Sequence, residues 1–404
     1  METTQRQSYL DWLRIFSIAG VLILHSAMPY AAGETWHIRN KETSDLFTYF
    51  IAFLHLFRMP LLFFISGTVS YYMMQHRSAL SFIGLRCTRL LIPLLVGMFI
   101  IVPPQIYMER LTQGFTGNYW EFYKTVFEFK PYPLGGSFSW HHLWFIAYLF
   151  IYDLVFAPFF MWMISDKSNN VKQALHRLSK GKLVYLLAIP SIIWYALLSK
   201  RLPETGDLVH DRCYFVYWLL FVLAGFICIL IPSLMDSLQR NRRFAISIGF
   251  VSLMLYYYVW FNDAKLPFVP DAIWPLFSAA LRPVIAWGWV LGFIGYGKQY
   301  LNRSHRILNY LNQAVYPFYI LHQTVIVILA YYITRSAGDT VIMKYIFTIV
   351  VTLFITMGIF HFFVKPYPVI RFLFGMKPSN GVKKKVAVAN KVLTVKEPLT
   401  EVAI

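Results

Sequence analysis

Long apolar stretches recur ten times along this chain, at approximately 10–29, 47–74, 86–107, 142–164, 183–199, 213–232, 244–261, 273–296, 312–334 and 343–364. Each is close to, or above, the roughly 17–25 residues that a helix needs to cross about 30 Å of hydrocarbon. Backbone amides in lipid must be paired within the segment, so stretches of this kind fold as helices. Only 14% of the 404 residues are charged and 58% are hydrophobic, whereas soluble domains carry about 25% charged residues. The chain therefore reads as all-α, a polytopic membrane helix bundle of about ten transmembrane helices. The first stretch is too long for a cleavable signal peptide, and its polar residues lie on one face.

A net charge of +18 would suit nucleic acid, but its distribution suits a membrane. The second, fourth, sixth and eighth connections and their flanks carry fourteen Lys and Arg residues against two acids, Asp166 and Asp236. The odd connections mix basic residues with acids such as Glu42, Asp45, Glu204 and Asp211. The positive-inside rule then places the even connections and both termini in the cytoplasm. No nucleic-acid module is present. Residues 1–375 read as one membrane domain, and 376–404 as a basic, disordered cytoplasmic tail carrying Lys383-Lys-Lys. Cys87, Cys213 and Cys228 have neither metal nor redox spacing and read as structural.

The sharpest polar signal lies in the first helix. Arg14 and His25 are eleven residues apart, three turns plus roughly 20°, so they share one face about 16 Å apart along the axis. Asp11 precedes Arg14 by three residues and joins that stripe. Ionisable groups inside a span are expensive, which makes them functional candidates. Histidine is suited to take and return a proton near neutral pH. A hydrogen bond across a helix interface is the competing role. Arg86 and Arg89 stand three apart at the cytoplasmic mouth of the third span, where paired guanidinium groups suit phosphate or carboxylate, or anchor to lipid headgroups. The ninth span carries Tyr316-Pro-Phe-Tyr319-Ile-Leu-His322, a second membrane histidine beside a proline that frees a backbone carbonyl. Phe64-Ile-Ser66-Gly67 offers small residues for close helix approach or a channel. His141-His142-Leu-Trp144-Phe begins the fourth span. Adjacent histidines in a helix point about 100° apart, so this pair is no zinc site, and no metal site is expected. The connection 108–141 is rich in aromatic rings, suited to an interfacial belt or to sugar faces.

These elements, in order, resemble the acyltransferase-3 family of integral membrane acyltransferases. The resemblance rests on Leu10-Asp-x-Leu-Arg14 followed by His25, Phe64-Ile-Ser-Gly67, Arg86-x-x-Arg89-Leu-Leu-Ile-Pro, His142-Leu-Trp-Phe and Tyr316-Pro-Phe-Tyr-Ile-Leu-His322. It spans about residues 9–375 and is strongest to the glucan-biosynthesis protein C group. Many relatives carry Arg-Gly where this chain has Arg14-Ile15, a departure that bears on packing.

The resemblance implies a membrane acyltransferase of the cell inner membrane with no bound cofactor. Its donor substrate would be a cytoplasmic acyl-coenzyme A, succinyl or acetyl. The implied reaction is transfer of a succinyl group to hydroxyls of periplasmic glucans. O-acetylation of lipopolysaccharide, exopolysaccharide or peptidoglycan is the alternative enzyme reading, and a proton-coupled transporter the alternative of another class. Within this scheme His25 acts as general base or as an acyl-carrying relay. Asp11 and Arg14 orient the donor or the helix, and Arg86 and Arg89 meet the donor's phosphates. His322, Tyr319, Ser66 and Trp144 line the substrate path. A succinyl carboxylate would need a cationic partner such as Arg58 or Arg282.

Overall fold

The computed structural model describes residues 7–377 apart from Glu34, Leu134, Ser304 and 337–339. The basic tail, including Lys383-Lys-Lys, falls almost entirely outside the described residues. Among the described residues there is no β-strand. Nine helices are long and apolar enough to cross a membrane: α1 (Ser8–Tyr30), α2 (Asp45–Met74), α3 (Ala79–Thr112), α4 (His141–Ile164), α6 (Arg212–Leu230), α7 (Pro232–Asn262), α8 (Trp274–Tyr300), α9 (Arg306–Ile333) and α10 (Val341–Val364). Between α4 and α6 lies a shorter apolar helix, α5 (Leu183–Leu198). Its first six residues are a 3₁₀ helix, which rises more steeply than an α-helix. The whole element is about 27 Å long, close to the hydrocarbon thickness.

Side-chain contacts give the direction of each helix. Arg86 and Gly97 of α3 meet Asp153 and Leu143 of α4, so these two run antiparallel. Ser191 of α5 meets Trp287, while Lys200 just beyond it meets Ser278, so α5 opposes α8. Arg14 and His25 of α1 meet Asn312 and His322 of α9, so α1 and α9 run parallel. That parallel pair requires an odd number of crossings from α1 through α9, which holds when α5 counts as a crossing. Tyr310 at the start of α9 meets His361 at the end of α10, so both ends of the described chain lie on one side of the bundle.

The helices approach closely where residues are small. A Cβ on Gly67 of α2 would lie 1.9 Å from the Val222 carbonyl oxygen of α6, and one on Gly225 would lie 1.9 Å from the Phe64 carbonyl oxygen. Thus the Ser-Gly of the second span brings two backbones into contact, as small residues do in membrane bundles. Aromatic rings fill the adjoining core: Phe63 stacks on Trp218 with centroids 5.5 Å apart and meets Phe145 edge-on at 4.7 Å. The aromatic connection folds over the end of α3. It contains a short helix, Tyr119–Lys124, closed by an Asn118–Glu121 capping box. Phe122 is buried there, whereas Trp120 remains exposed.

Candidate active site

The polar stripe of α1 faces α9. At one end Arg14 donates to Asn312 Oδ1 at 2.7 Å and pairs with Asp11 at 3.3 Å. At the other end His25 Nδ1 and His322 Nε2 are 3.0 Å apart, with the two rings stacked at 5.1 Å. His25 stands in the last turn of the α-helical part of α1, further from the bundle middle than the 16 Å spacing from Arg14 suggests. Asn312 and His322 are ten residues apart, about 80° short of three full turns, so α9 does not repeat the α1 period; packing of the two helices, not a shared periodicity, brings both residues to the stripe.

Backbone geometry orders the protons of the pair. His322 Nδ1 lies 2.7 Å from the Tyr319 carbonyl oxygen. A carbonyl only accepts, so this nitrogen carries the hydrogen. In the neutral ring His322 Nε2 is then an acceptor, and His25 Nδ1 must donate to it. His25 Nε2 is left with its lone pair. The arrangement follows the logic of an oriented base, in which a third group holds the imidazole in its reactive tautomer.

The supporting residues leave His322 little freedom. Phe318 stacks parallel to its ring at 6.0 Å, and His142 meets it edge-on at 5.3 Å. His142 Nε2 donates to the Ile320 carbonyl at 3.0 Å, while the Tyr319 hydroxyl donates to the His142 carbonyl. These reciprocal bonds tie the start of α4 to α9 beside His322.

The other sequence-selected residues lie elsewhere. Arg86 forms a 2.6 Å ion pair with Asp153 of α4, with side chains 4% and 0% exposed. Ser70 completes that network, accepting from Arg86 and donating to Asp153, both at 2.7 Å. Arg89 is half-buried three residues on, in a π-helical turn, and donates to the Gly375 carbonyl at 2.7 Å. Both sit towards the side where the chain ends emerge, away from the histidine pair. Ser66 donates to the Leu62 carbonyl of its own helix at 2.8 Å. Trp144 packs against Tyr148 and Trp218 in the aromatic core.

Two further features bear on the site, one a cation that the sequence also named and one a cluster that it did not. The first is Arg58 of α2, 5% exposed. Among the described residues nothing bonds its Nε or Nη1. It acts electrostatically on His25, His322 and Tyr319. The second is a cluster at the opposite end of the bundle from the termini, where His37, Glu109 and His141 bring one metal-ligating atom each within 4.8 Å of one another. His37 Nδ1 lies 2.5 Å from Glu109 Oε2, and Tyr132 donates to both Glu109 oxygens at 2.9 and 3.0 Å. Burial first, then the Glu109 charge, holds the Tyr132 phenol well above its usual range, so it stays a protonated donor. No short-range spacing could reveal this cluster, because its members come from three separate elements.

A membrane bundle with an oriented histidine pair between its first and ninth helices defines the class, and comparison with known proteins supplies the family. The model of the acyltransferase-3 family, described as an acyltransferase domain, matches residues 7–361; the chain belongs to this family of membrane acyltransferases. It is similar to the "Glucans biosynthesis protein C" of Escherichia coli O1:K1 / APEC, at 23% identity over 347 residues, covering 82% of this chain and 84% of the relative. The proteins of that name from Shigella dysenteriae serotype 1 and Escherichia coli strain K12 match with the same identity and coverage. No solved structure matches.

Proposed function

We propose that this protein transfers a succinyl group from succinyl-coenzyme A to hydroxyls of a periplasmic glucan, across the cell inner membrane, with no organic cofactor. The observation that carries the mechanism is the 3.0 Å His25–His322 bond with its backbone-ordered tautomers. His25 Nε2 takes the proton of an acceptor hydroxyl as its oxygen attacks the thioester carbonyl. The new C–O bond forms, the tetrahedral oxyanion collapses, and the C–S bond breaks. The departing thiolate takes the proton back from His25 Nε2, giving an ester and free coenzyme A. His322 holds the His25 ring throughout and shares the transient positive charge.

Donor polarity follows the charge asymmetry. The basic connections and Arg89 face the side taken as cytoplasmic, where coenzyme A phosphates would dock. Arg86 is engaged in neutralising Asp153, which gives it a structural part: it pins α3 to α4 beside the donor entrance. The succinyl assignment draws on Arg58. Among the described residues no ion pair engages Arg58, Glu204 acting on it only at longer range, and a substrate carboxylate would match its planar fork. The glucan acceptor is drawn from the relatives' name.

The test uses the purified full chain in nanodiscs with a glucan acceptor and either succinyl- or acetyl-coenzyme A. Wild type is expected to prefer succinyl. Arg58→Leu is expected to lose succinyl transfer by at least tenfold while keeping acetyl transfer. Equal loss with both donors removes Arg58 from carboxylate recognition, and acetyl preference in wild type points to the O-acetyltransferase alternative.

A further inference from the structure

The His37–Glu109–His141 cluster carries chemistry that the acyl-transfer scheme does not use. His37 lies in the connection after α1, Glu109 near the end of α3, and His141 at the start of α4. Their potential ligand atoms fall within 4.8 Å of one another. Ligands around a tetrahedral zinc ion stand about 3.3 Å apart, given metal–ligand bonds of about 2.0–2.1 Å. Small side-chain rotations therefore suffice to close the cluster on an ion.

Two observations distinguish this cluster from a self-satisfied polar contact. His141 is half-buried, but both of its ring nitrogens are shut off from solvent and neither has a hydrogen-bond partner among the described residues. A neutral imidazole carries one donor and one acceptor, so both are left unanswered. His37 and His141 also lie parallel, centroids 4.7 Å apart and planes 6° apart, beside the Glu109 carboxylate. Moreover, the His141 backbone sits at φ 42°, in the left-handed region that a non-glycine residue adopts at a cost.

The surroundings resemble the outer shell of a metal centre. Tyr132 donates to both Glu109 oxygens, and Gln113 Nε2 donates to Oε1 at 3.1 Å, fixing the carboxylate plane. Gln323 Nε2 lies 3.5 Å from His37 Nε2 and donates to Gln105 at 3.1 Å. We infer that His37, Glu109 and His141 form a binding site for a borderline divalent cation of the zinc class. Two imidazoles and one carboxylate suit that class better than calcium or magnesium, which take oxygen ligands. Three protein ligands leave a fourth position open. Gln323 neighbours His322, and His142 neighbours His141, so a bound ion would stiffen the acceptor side of the histidine pair. This last role rests on the acyl-transfer reading; the metal site itself does not.

The experiment is metal analysis of the full chain, purified in nanodiscs through a tag that binds no metal and without chelators. About one zinc per chain is expected, with a visible d–d band when zinc is exchanged for cobalt. His141→Asn and Glu109→Gln should each lower bound metal at least tenfold and abolish the cobalt band. His25→Ala should bind metal as wild type does. Background metal in wild type that addition of zinc does not raise, or full occupancy in both ligand variants, overturns the inference. If a ligand variant fails to fold, His37→Gln supplies the same reading. Bound zinc in a wild type that transfers no acyl group would leave this site standing and remove the proposed function.

Discussion

Removing His322 isolates the role of the histidine pair. His322→Ala deletes the acceptor that obliges His25 to carry its hydrogen on Nδ1, 3.0 Å away. The orphaned His25 donor and the cavity left at this fully buried position cost on the order of 2–5 kcal/mol of stability, so kcat is read per molecule of the monodisperse fraction, where the loss that remains is catalytic. With His25 free to rotate and exchange tautomers, the oriented base is lost. General-base assistance contributes about 10²–10⁴-fold, so kcat should fall at least 10²-fold, or about 2.7 kcal/mol in the barrier. The donor KM should stay within about twofold if ground-state binding is untouched. His322→Gln keeps an amide oxygen near the place of Nε2, and should recover much of the lost kcat. The assay is steady-state release of coenzyme A by purified variants in nanodiscs. A His322→Ala enzyme with wild-type kcat, or a Gln variant no better than Ala, would refute the tautomer argument.

Breaking the buried Arg86–Asp153 pair should show in abundance. Arg86→Met leaves Asp153 charged and alone, which costs about 3–5 kcal/mol, whereas Arg86→Met with Asp153→Leu should regain abundance; fluorescence size-exclusion of both variants decides it. Gly67→Leu places a side chain where even a Cβ comes 1.9 Å from the Val222 carbonyl oxygen, so it should abolish a monodisperse elution peak. If α5 crosses the membrane, Lys172→Cys and Val209→Cys label from opposite sides with an impermeant maleimide; labelling from the same side contradicts ten crossings. Direct transfer further predicts that the enzyme mixed with donor alone accumulates no acylated His25, which intact-protein mass spectrometry reads; an acyl adduct would favour the relay.

Long-period features of the fold were legible from the residues, whereas pairings between elements were not. Apolar length alone locates the spans, and the one span below the usual helix length, α5, is the one whose crossing needs the direction of its neighbours. The α1 stripe was visible because Arg14 and His25 share a helical period. Its partners on α9, Asn312 and His322, are ten residues apart, about 80° short of whole turns, so no period on α9 marks them as a pair and only the packing of the two helices does. Arg86 was a fair phosphate candidate from spacing, yet spacing says nothing about Asp153, 67 residues away. Likewise the adjacent pair His141-His142 is a poor chelate within one helix. The structure sends the two side chains apart, His142 to the Ile320 carbonyl and His141 towards His37 and Glu109. Long-range polar partners are set by packing, and a one-dimensional pattern carries little of that information.

The central claim is that His25 is the proton acceptor of a glycan acyltransferase. Mass spectrometry of periplasmic glucans from cells lacking this protein, complemented with wild type or with His25→Ala at matched abundance, tests it most directly. Succinyl mass increments restored by wild type and absent with His25→Ala are the predicted result. Increments restored equally by His25→Ala would contradict the assignment of the base, and glucans unchanged by wild type would contradict the acceptor.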